Sequence, residues 1–590
     1  MPPTSTTGLG GTGVCVEDFD GDGDMDVVVP QGPGQPILYF RNEGAMQFVD
    51  ATATAGLGNG LQVRCLNAAD IDNDGDRDLY VGNDDSPAQL FVNNGAGSFT
   101  DEALARGISH DDANYAAAFG DYNRDGWLDL YIGQRTNAQT GQNEPNILLR
   151  NDGGVFTDVT LISGVYQTQP TLCASFMDYN EDGWPDLIVA NDKGLSYGPN
   201  QLLRNNGDGT FVDVSVATGT NIAIDGMSID YLDVFNDGGV DFYCTDLPTE
   251  HLFQQWDPQA GSYINATAQY GLQGGGIGWS SNWLDYDNDG WQDLHVVQWG
   301  TPNLMFKNPA QPASANAPWS DQAAALGINF PWIQHCAAIA DFDDDGRIDL
   351  LERFHAGPPQ AQAPDGIGIY QNQVTGGGNW IKFRTRGTVS NRDGIGARFV
   401  VQSGSLVQRQ QRRNGTGFLT GSDPRLHFGL GAASSVDRVD IYWPSGQIQH
   451  LTNIAANQIV DVVEPSMLLS SPVGPGASTF INVTIPGDAG LPYYIALSLT
   501  TAPGTLLPDG NRLPLNIDGL TSLTIVPNNP ILPASAGLLD ANGTVSAQLN
   551  IPPLSLLSGL TLYATAMTTD AANFPLLRTL FPRALPITLQ

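Results

Sequence analysis

The sequence predicts an all-β chain: a seven-bladed β-propeller over residues 1–375, a small antiparallel β-domain over 376–465 and a C-terminal β-sandwich over 466–590. Three observations predict it. A nine-residue acidic loop recurs seven times, its starts separated by 52, 51, 57, 55, 52 and 56 residues. A strand, an Asn/Gly turn and a second strand follow most of these loops, as in ILYFRNEGAMQFVD and QLLRNNGDGTFVDV. Beyond residue 377 the loops stop, and short strand-like runs separated by Gly, Pro and Asn-Gly turns take over. One strand into each loop, one out of it and a hairpin make four strands per repeat, and four-stranded units at a fifty-residue period are the sequence mark of a propeller.

The loops carry the chemistry. DYDNDGWQD at 285–293 sets Asp285, Asp287 and Asp289 on alternate residues, turns at Gly290 and closes with Asp293. Carboxylates this dense repel one another unless a cation sits between them, and oxygen-only ligands with a glycine turn suit Ca²⁺. The run after it, Leu294-His295-Val296-Val297, reads as a strand, whereas an EF-hand would enter a helix. By the same pattern the expected ligands are Asp18, Asp20, Asp22 and Asp26; Asp70, Asp72, Asp74 and Asp78; Asp121, Asn123, Asp125 and Asp129; Asp178, Asn180, Asp182 and Asp186; and Asp341, Asp343, Asp345 and Asp349. The fifth loop keeps Asp233, Asp237 and Asp241 but has Phe235 at the third position, so it is expected to be the weakest site or none, leaving six to seven sites. Trp127, Trp184 and Trp291 follow the loop glycine, a position that offers only a carbonyl, and are expected to be packing covers.

These loops, with the QLLRNNGDGTF-type hairpins, resemble FG-GAP/VCBS repeats, the blades of integrin α-subunit heads and of many secreted bacterial proteins. Residues 378–465, with NWIKFRTRG, SNRDGIGARFVV, NGTGFLTGSDPRLHFGLG and VDRVDIYWPSG, resemble the ASPIC/UnbV domain, which follows such repeats in the cartilage acidic protein family and bacterial relatives. The resemblance implies a propeller followed by a small β-domain whose chemistry no motif reveals.

Net charge is −38, and residues 1–377 hold 52 acidic against 12 basic residues, 29 of the acids lying inside the seven loops. That balance excludes nucleic acid as a partner. Residues 378–465 are net basic, and Arg409, Arg412 and Arg413 are expected to dock on the acidic propeller. Asp423, Arg425 and His427 read as a turn salt bridge. Residues 466–590 are thinly charged, which points to packing on another domain or to homo-oligomer or matrix contact. Cys15, Cys65, Cys173 and Cys336, at equivalent points of their repeats, read as buried thiols.

No segment has eighteen uninterrupted apolar residues, so no membrane span is expected. MPPTSTTGLG shows no signal peptide, yet a secreted or cell-surface location is expected, because such loops fill at extracellular calcium. Residues 3–10 resemble 51–58, the end of the first repeat, which suggests that residues 3–8 supply the outer strand missing from blade seven.

Strand order puts acidic loops and hairpin turns on one face. The other face collects Arg64, Tyr115, Arg135, Trp279, Trp299, Trp332, Arg353 and His355, with long insertions at 133–145 and 352–366. Exposed Trp and Arg on a rigid scaffold suit binding; the same aromatics could instead fill the central channel. No HExxH, GxSxG or phosphate loop is present, so no catalytic residue is assigned. The expected function is calcium-stabilised recognition or adhesion, binding a glycan or an extracellular protein. The alternatives are a polysaccharide-active enzyme using the same face and a structural matrix component.

Overall fold

The computed structural model describes residues 12–590 apart from 59–60, 85, 111–112, 138–139, 247–250, 356–365, 502–503, 507–511, 554–556, 570–576 and 582–583. The chain is all-β. Each of the first six repeats forms a four-stranded antiparallel meander; in the second it runs Val63–Ala69, Asp78–Asn83, Gln89–Asn93, Phe99–Asp101. The seventh shows three strands, Ile333–Ala340, Asp349–His355 and Gly366–Tyr370. Residues 3–8 lie outside the described residues. The innermost strands pack each on the next, and Ile333–Ala340 packs back on Val14–Glu17, so the ring closes.

An asparagine latch joins the sheets. Asn93, at the end of a third strand, donates its side-chain amide to Phe19 O of the preceding sheet at 2.7 Å. Asn151 does the same to Ile71 O, Asn205 to Tyr122 O, Asn308 to Val234 O and Asn372 to Tyr286 O. Asn42 reaches Phe342 O, which carries the series across the closure between the first and seventh sheets. Its hairpin position reads as turn chemistry in sequence, but the buried amide pairs a carbonyl that would otherwise be orphaned between sheets. Trp256 stands at this position in the fifth sheet and meets Tyr179 ring to ring at 6.2 Å instead.

Residues 378–465 depart from the purely antiparallel expectation. Asn379–Arg386 pairs antiparallel with Leu426–Gly431 but parallel with Ile459–Val463, because Gln458 closes the chain back beside the strand that opened the domain. The C-terminal unit is a sandwich with Ile481, Val483, Ile495, Leu497, Ala547 and Ala564 buried between its sheets. One of those sheets is shared: Ile448–Ala455 pairs with Leu577–Leu580, so the thinly charged C-terminal unit takes its partner from the preceding domain. Gly519–Thr524 is helical, since Asp518 accepts the Thr521 amide at 2.8 Å and caps a first turn there.

All five cysteines are buried and free. His251 of the fifth sheet is buried beside the Tyr243 hydroxyl, 2.8 Å from Nδ1, and burial pushes its imidazole from 6.5 down to about 4. An unfolded chain protonates this ring below pH 6.5 while the fold refuses the proton until about pH 4. Stability held above pH 6.5 is therefore lost on acidification through that window, by up to about 3 kcal/mol. Melting temperatures from pH 7 to pH 4 should fall less steeply in His251→Gln than in the parent.

Candidate metal centres and the two faces of the ring

Each acidic loop is held by one repeated set of backbone bonds. In loops two to seven the first carboxylate accepts the amides of the fifth and sixth positions: Asp70 takes Asp74 N at 3.1 Å and Gly75 N at 2.8 Å, and Asp285 takes Asp289 N at 3.0 Å and Gly290 N at 2.7 Å. In loop one Asp18 takes the fourth and sixth, Gly21 N at 2.9 Å and Gly23 N at 3.0 Å. The fifth carboxylate accepts the seventh amide, as Asp74 does from Asp76. The ninth, on the outgoing strand, takes the second-position amide and the latch residue's own backbone amide; for Asp78 these are Ile71 N and Asn93 N. Two left-handed residues make the turn, at the fourth position (Asn73, φ 60°; Asn288, φ 58°) and at the sixth-position glycine (Gly75, φ 106°).

The oxygens of Asp18, Asp20 and Asp22, of Asp70, Asp72 and Asp78, of Asp285, Asp287 and Asp289, and of Asp341, Asp343 and Asp349 each converge within 4.8 Å. Asp72 Oδ1 and Asp343 Oδ1 are buried with no hydrogen-bond partner. Burial pushes Asp26 up to about 7, Asp78 to about 8 and Asp186 to about 8, the signature of carboxylates lacking compensating charge. The converging all-oxygen sets fit a hard cation in loops one, two and seven, and in loops two and seven one buried ligand oxygen is left unpaired. In loops three and four Asn123 and Asn180 turn their amide nitrogens onto Asp125 (2.7 Å) and Asp182 (2.9 Å). In loop five the Phe235 ring is committed to packing, 5.0 Å from Tyr270, so the third ligand is lost as expected. In loop six the Lys307 ammonium lies between Asp287 and Asp289. The three tryptophans after the loop glycines are half-buried, and Trp184 covers Gly207 of its own hairpin under Arg124.

The loop face is covered. Residues 378–465 sit on it, paired through Arg77–Asp393 (2.6 Å), Arg398–Glu181 (2.7 Å), Arg425–Asp344 (2.6 Å) and Lys382–Asp341. The basic cluster docks as its charge predicts: Arg409 reaches Asp233 at 3.6 Å, Arg413 pairs with Asp230, and Arg412 is buried beside Glu17 and Asp393. Asp423 and Arg425 form the expected turn pair at 2.7 Å. The segment 412–421 enters the channel. Asn414 accepts from Asn67 Nδ2 (2.7 Å) and Phe119 N (3.0 Å) and donates to Ala68 O (2.9 Å). Cys173 donates to Gly417 O, Phe418 meets Trp279 at 4.9 Å, and Thr420–Gly421 pairs parallel with Val14 and Cys15. This plug comes from an irregular Gly-rich stretch, and only its arginines announced it.

The opposite face is more buried than expected. Arg64, Tyr115, Trp279 and Arg353 are buried rather than exposed. Asp84 draws in Arg64 (2.6 Å) and the Tyr115 hydroxyl (2.9 Å), and Arg64 and Arg135 flank the Tyr115 ring at 5.4 and 5.3 Å, with Arg135 also on Asp192. Trp279 packs with Trp299 and His335 at the channel. Trp299 and Trp332 are half-buried, Trp332 stacking on Phe330 at 4.6 Å and 16°. The His355 side chain and most of the 352–366 insertion lie outside the described residues. Among the described residues no helix is long and apolar enough to cross a membrane.

Family comparisons match an FG-GAP-like repeat at residues 18–81, 70–132 and 178–244, and an ASPIC and UnbV domain at 387–468. Cartilage acidic protein 1 of Xenopus tropicalis is 25% identical over 499 residues, covering 77% of this chain and 73% of that protein; the Homo sapiens protein is 24% identical over 502 residues, covering 77% and 71%. Among solved structures, BBS1N in complex with ARL6DN aligns with a TM-score of 0.38 at 8% identity over 62% of this chain and 94% of that one. SapL1 lectin in complex with alpha methyl fucoside aligns at 0.33 and 10% identity over 53% and 95%. The chain carries FG-GAP-like repeats and an ASPIC and UnbV domain, and over 77% of its length it is similar to cartilage acidic protein 1.

Proposed function

We propose that this is a calcium-stabilised extracellular recognition or adhesion protein that binds a glycan or a surface protein on the face away from the acidic loops. The observation that carries the reading is the covering of the loop face: residues 378–465 lie across it and segment 412–421 fills the channel mouth. Binding is left to the other face. There the Asp84–Tyr115–Arg64 network and the Arg135–Asp192 pair give a rigid base. Half-buried Trp299 and Trp332, the latter stacked on Phe330, offer flat aromatic surface suited to a sugar ring or an apolar side chain. The acidic loops act as fasteners at the hairpins, which suits a chain working in millimolar calcium. Similarity to a cartilage protein supports an extracellular setting.

A screen of glycans and extracellular proteins in millimolar calcium tests the proposal. Trp332→Ala and Trp299→Ala should each weaken the ligand found by about tenfold or more while remaining folded, with the far-UV circular dichroism of the parent. Undiminished binding by both variants would place the ligand elsewhere. Product formation from polysaccharides in the same screen would instead favour the enzymatic alternative.

A further inference from the structure

The strand position just before the latch asparagine borders the acidic loop of its own sheet. Arg41, Arg150, Arg204 and Lys307 stand there in the first, third, fourth and sixth sheets, and Arg204, with Asn206 two residues along, is exposed. In the first and third, an acid two residues along takes most of the cation: Arg41 bonds Glu43 at 2.7 Å and stays 3.5 Å from Asp20 of its own loop, and Arg150 bonds Asp152 through two contacts of 2.8 Å. Lys307 is followed by Asn308 and Pro309, and no acid stands at that step. Its ammonium turns into the loop instead. It lies 2.7 Å from Asp287 Oδ1, 2.6 Å from Asp289 Oδ2 and 3.7 Å from Asp293 Oδ1. The centre of the ring, where an ion would sit, thus already holds a positive charge bound to two of its carboxylates.

We propose that Lys307 is the resident cation of loop six, which takes no divalent ion and serves as a calcium-independent seat for residues 378–465. The proposal rests on the reading that the other loops bind calcium. A calcium ion entering loop six must break two charge-assisted hydrogen bonds and then share the ring with a tethered like charge. The backbone of this loop also bonds the backbone of the neighbouring domain directly. Asp287 O accepts Gly378 N at 2.9 Å, and Asn288 O accepts Gly431 N at 2.8 Å. Gly290 lies against Leu406 and Gly429 so closely that an added Cβ would fall 2.4 Å from Leu406 Cδ2 and 3.2 Å from Gly429 O. A seat closed by a side chain keeps its shape when calcium falls, so docking and calcium occupancy become separable.

Calcium bound per full-length chain, counted by titration calorimetry and equilibrium dialysis, tests this. Lys307→Met should bind one equivalent more than the parent, and Asp287→Asn in the otherwise native chain should leave the count unchanged. Equal counts for Lys307→Met and parent, or loss of one equivalent in Asp287→Asn, would overturn the proposal. Should Lys307→Met not fold, the Asp287→Asn count decides by itself. If the parent binds no calcium, the calcium reading fails and this one with it; a parent that binds calcium with the wrong count for loop six sinks this one alone.

Discussion

Chelating calcium is expected to lower the melting temperature of the full chain by about 10 °C or more. The reasoning starts from the converging carboxylates of loops one, two and seven, whose oxygens lie within 4.8 Å of one another. Backbone amides hold the first and ninth carboxylates in place, so these groups cannot swing apart when the ion leaves. A site filled at about a hundred times its dissociation constant adds about 2.7 kcal/mol, and more than one such site acts on the same ring. Because latch asparagines run from the third strand of every sheet but the fifth to the second position of a neighbouring loop, loosening one loop loosens the next sheet. The loss should therefore be cooperative rather than confined to one hairpin. Scanning calorimetry in excess EGTA, then in restored calcium, reads the effect. Magnesium should restore little, since it wants a tighter octahedral shell and gives up its water reluctantly. An unchanged melting curve in chelator would remove calcium from the account of this fold.

The ring was legible in sequence for a physical reason. Carboxylates around an ion need fixed spacing, and the left-handed turn at the sixth position needs glycine, so Asp and Gly recur in step. The defect of loop five was equally visible in Phe235, and the docking of residues 378–465 in the opposite charge of Arg409 and Arg413. What stayed hidden depends on tertiary partners. Asn42 and Asn93 read as turn residues because an Asn-Gly pair is turn chemistry, while their inter-sheet carbonyl partners lie 300 and 74 residues away. The fourth loop position carries no motif in the sequence. Its left-handed backbone aims Asn73 and Asn288 at the glycine carbonyl of the next loop, and Arg124 at Pro444 O. Arg64 and Tyr115 were read as surface groups. Asp84, which draws them inward, sits on a different strand and carries no motif of its own. Lys307 carries no signal in sequence, because the two carboxylates it meets lie 18 and 20 residues earlier across the sheet.

Arg413→Ala is expected to cost about 3–5 kcal/mol, the second large effect, because it strands a buried carboxylate. Asp230 is almost fully buried in the innermost strand of the fifth sheet. Its oxygens accept Tyr231 N at 2.9 Å and Trp283 N at 2.8 Å, and Arg413 supplies the countercharge while donating to Tyr231 O at 2.6 Å. Removing the guanidinium leaves Asp230 to take up a proton or remain unpaired, and either is costly at neutral pH. It also frees the segment that carries Asn414 into the channel, where one side chain bridges the second and third sheets through Ala68 O and Phe119 N. The double variant Arg413→Ala/Asp230→Asn removes the stranded charge and should recover much of the loss, so the two substitutions will not add. Denaturant unfolding of parent, both singles and the double measures the coupling. A loss below about 1 kcal/mol for Arg413→Ala, or strict additivity, would mean that the pair behaves like an exposed one and that the plug is held by its backbone bonds alone.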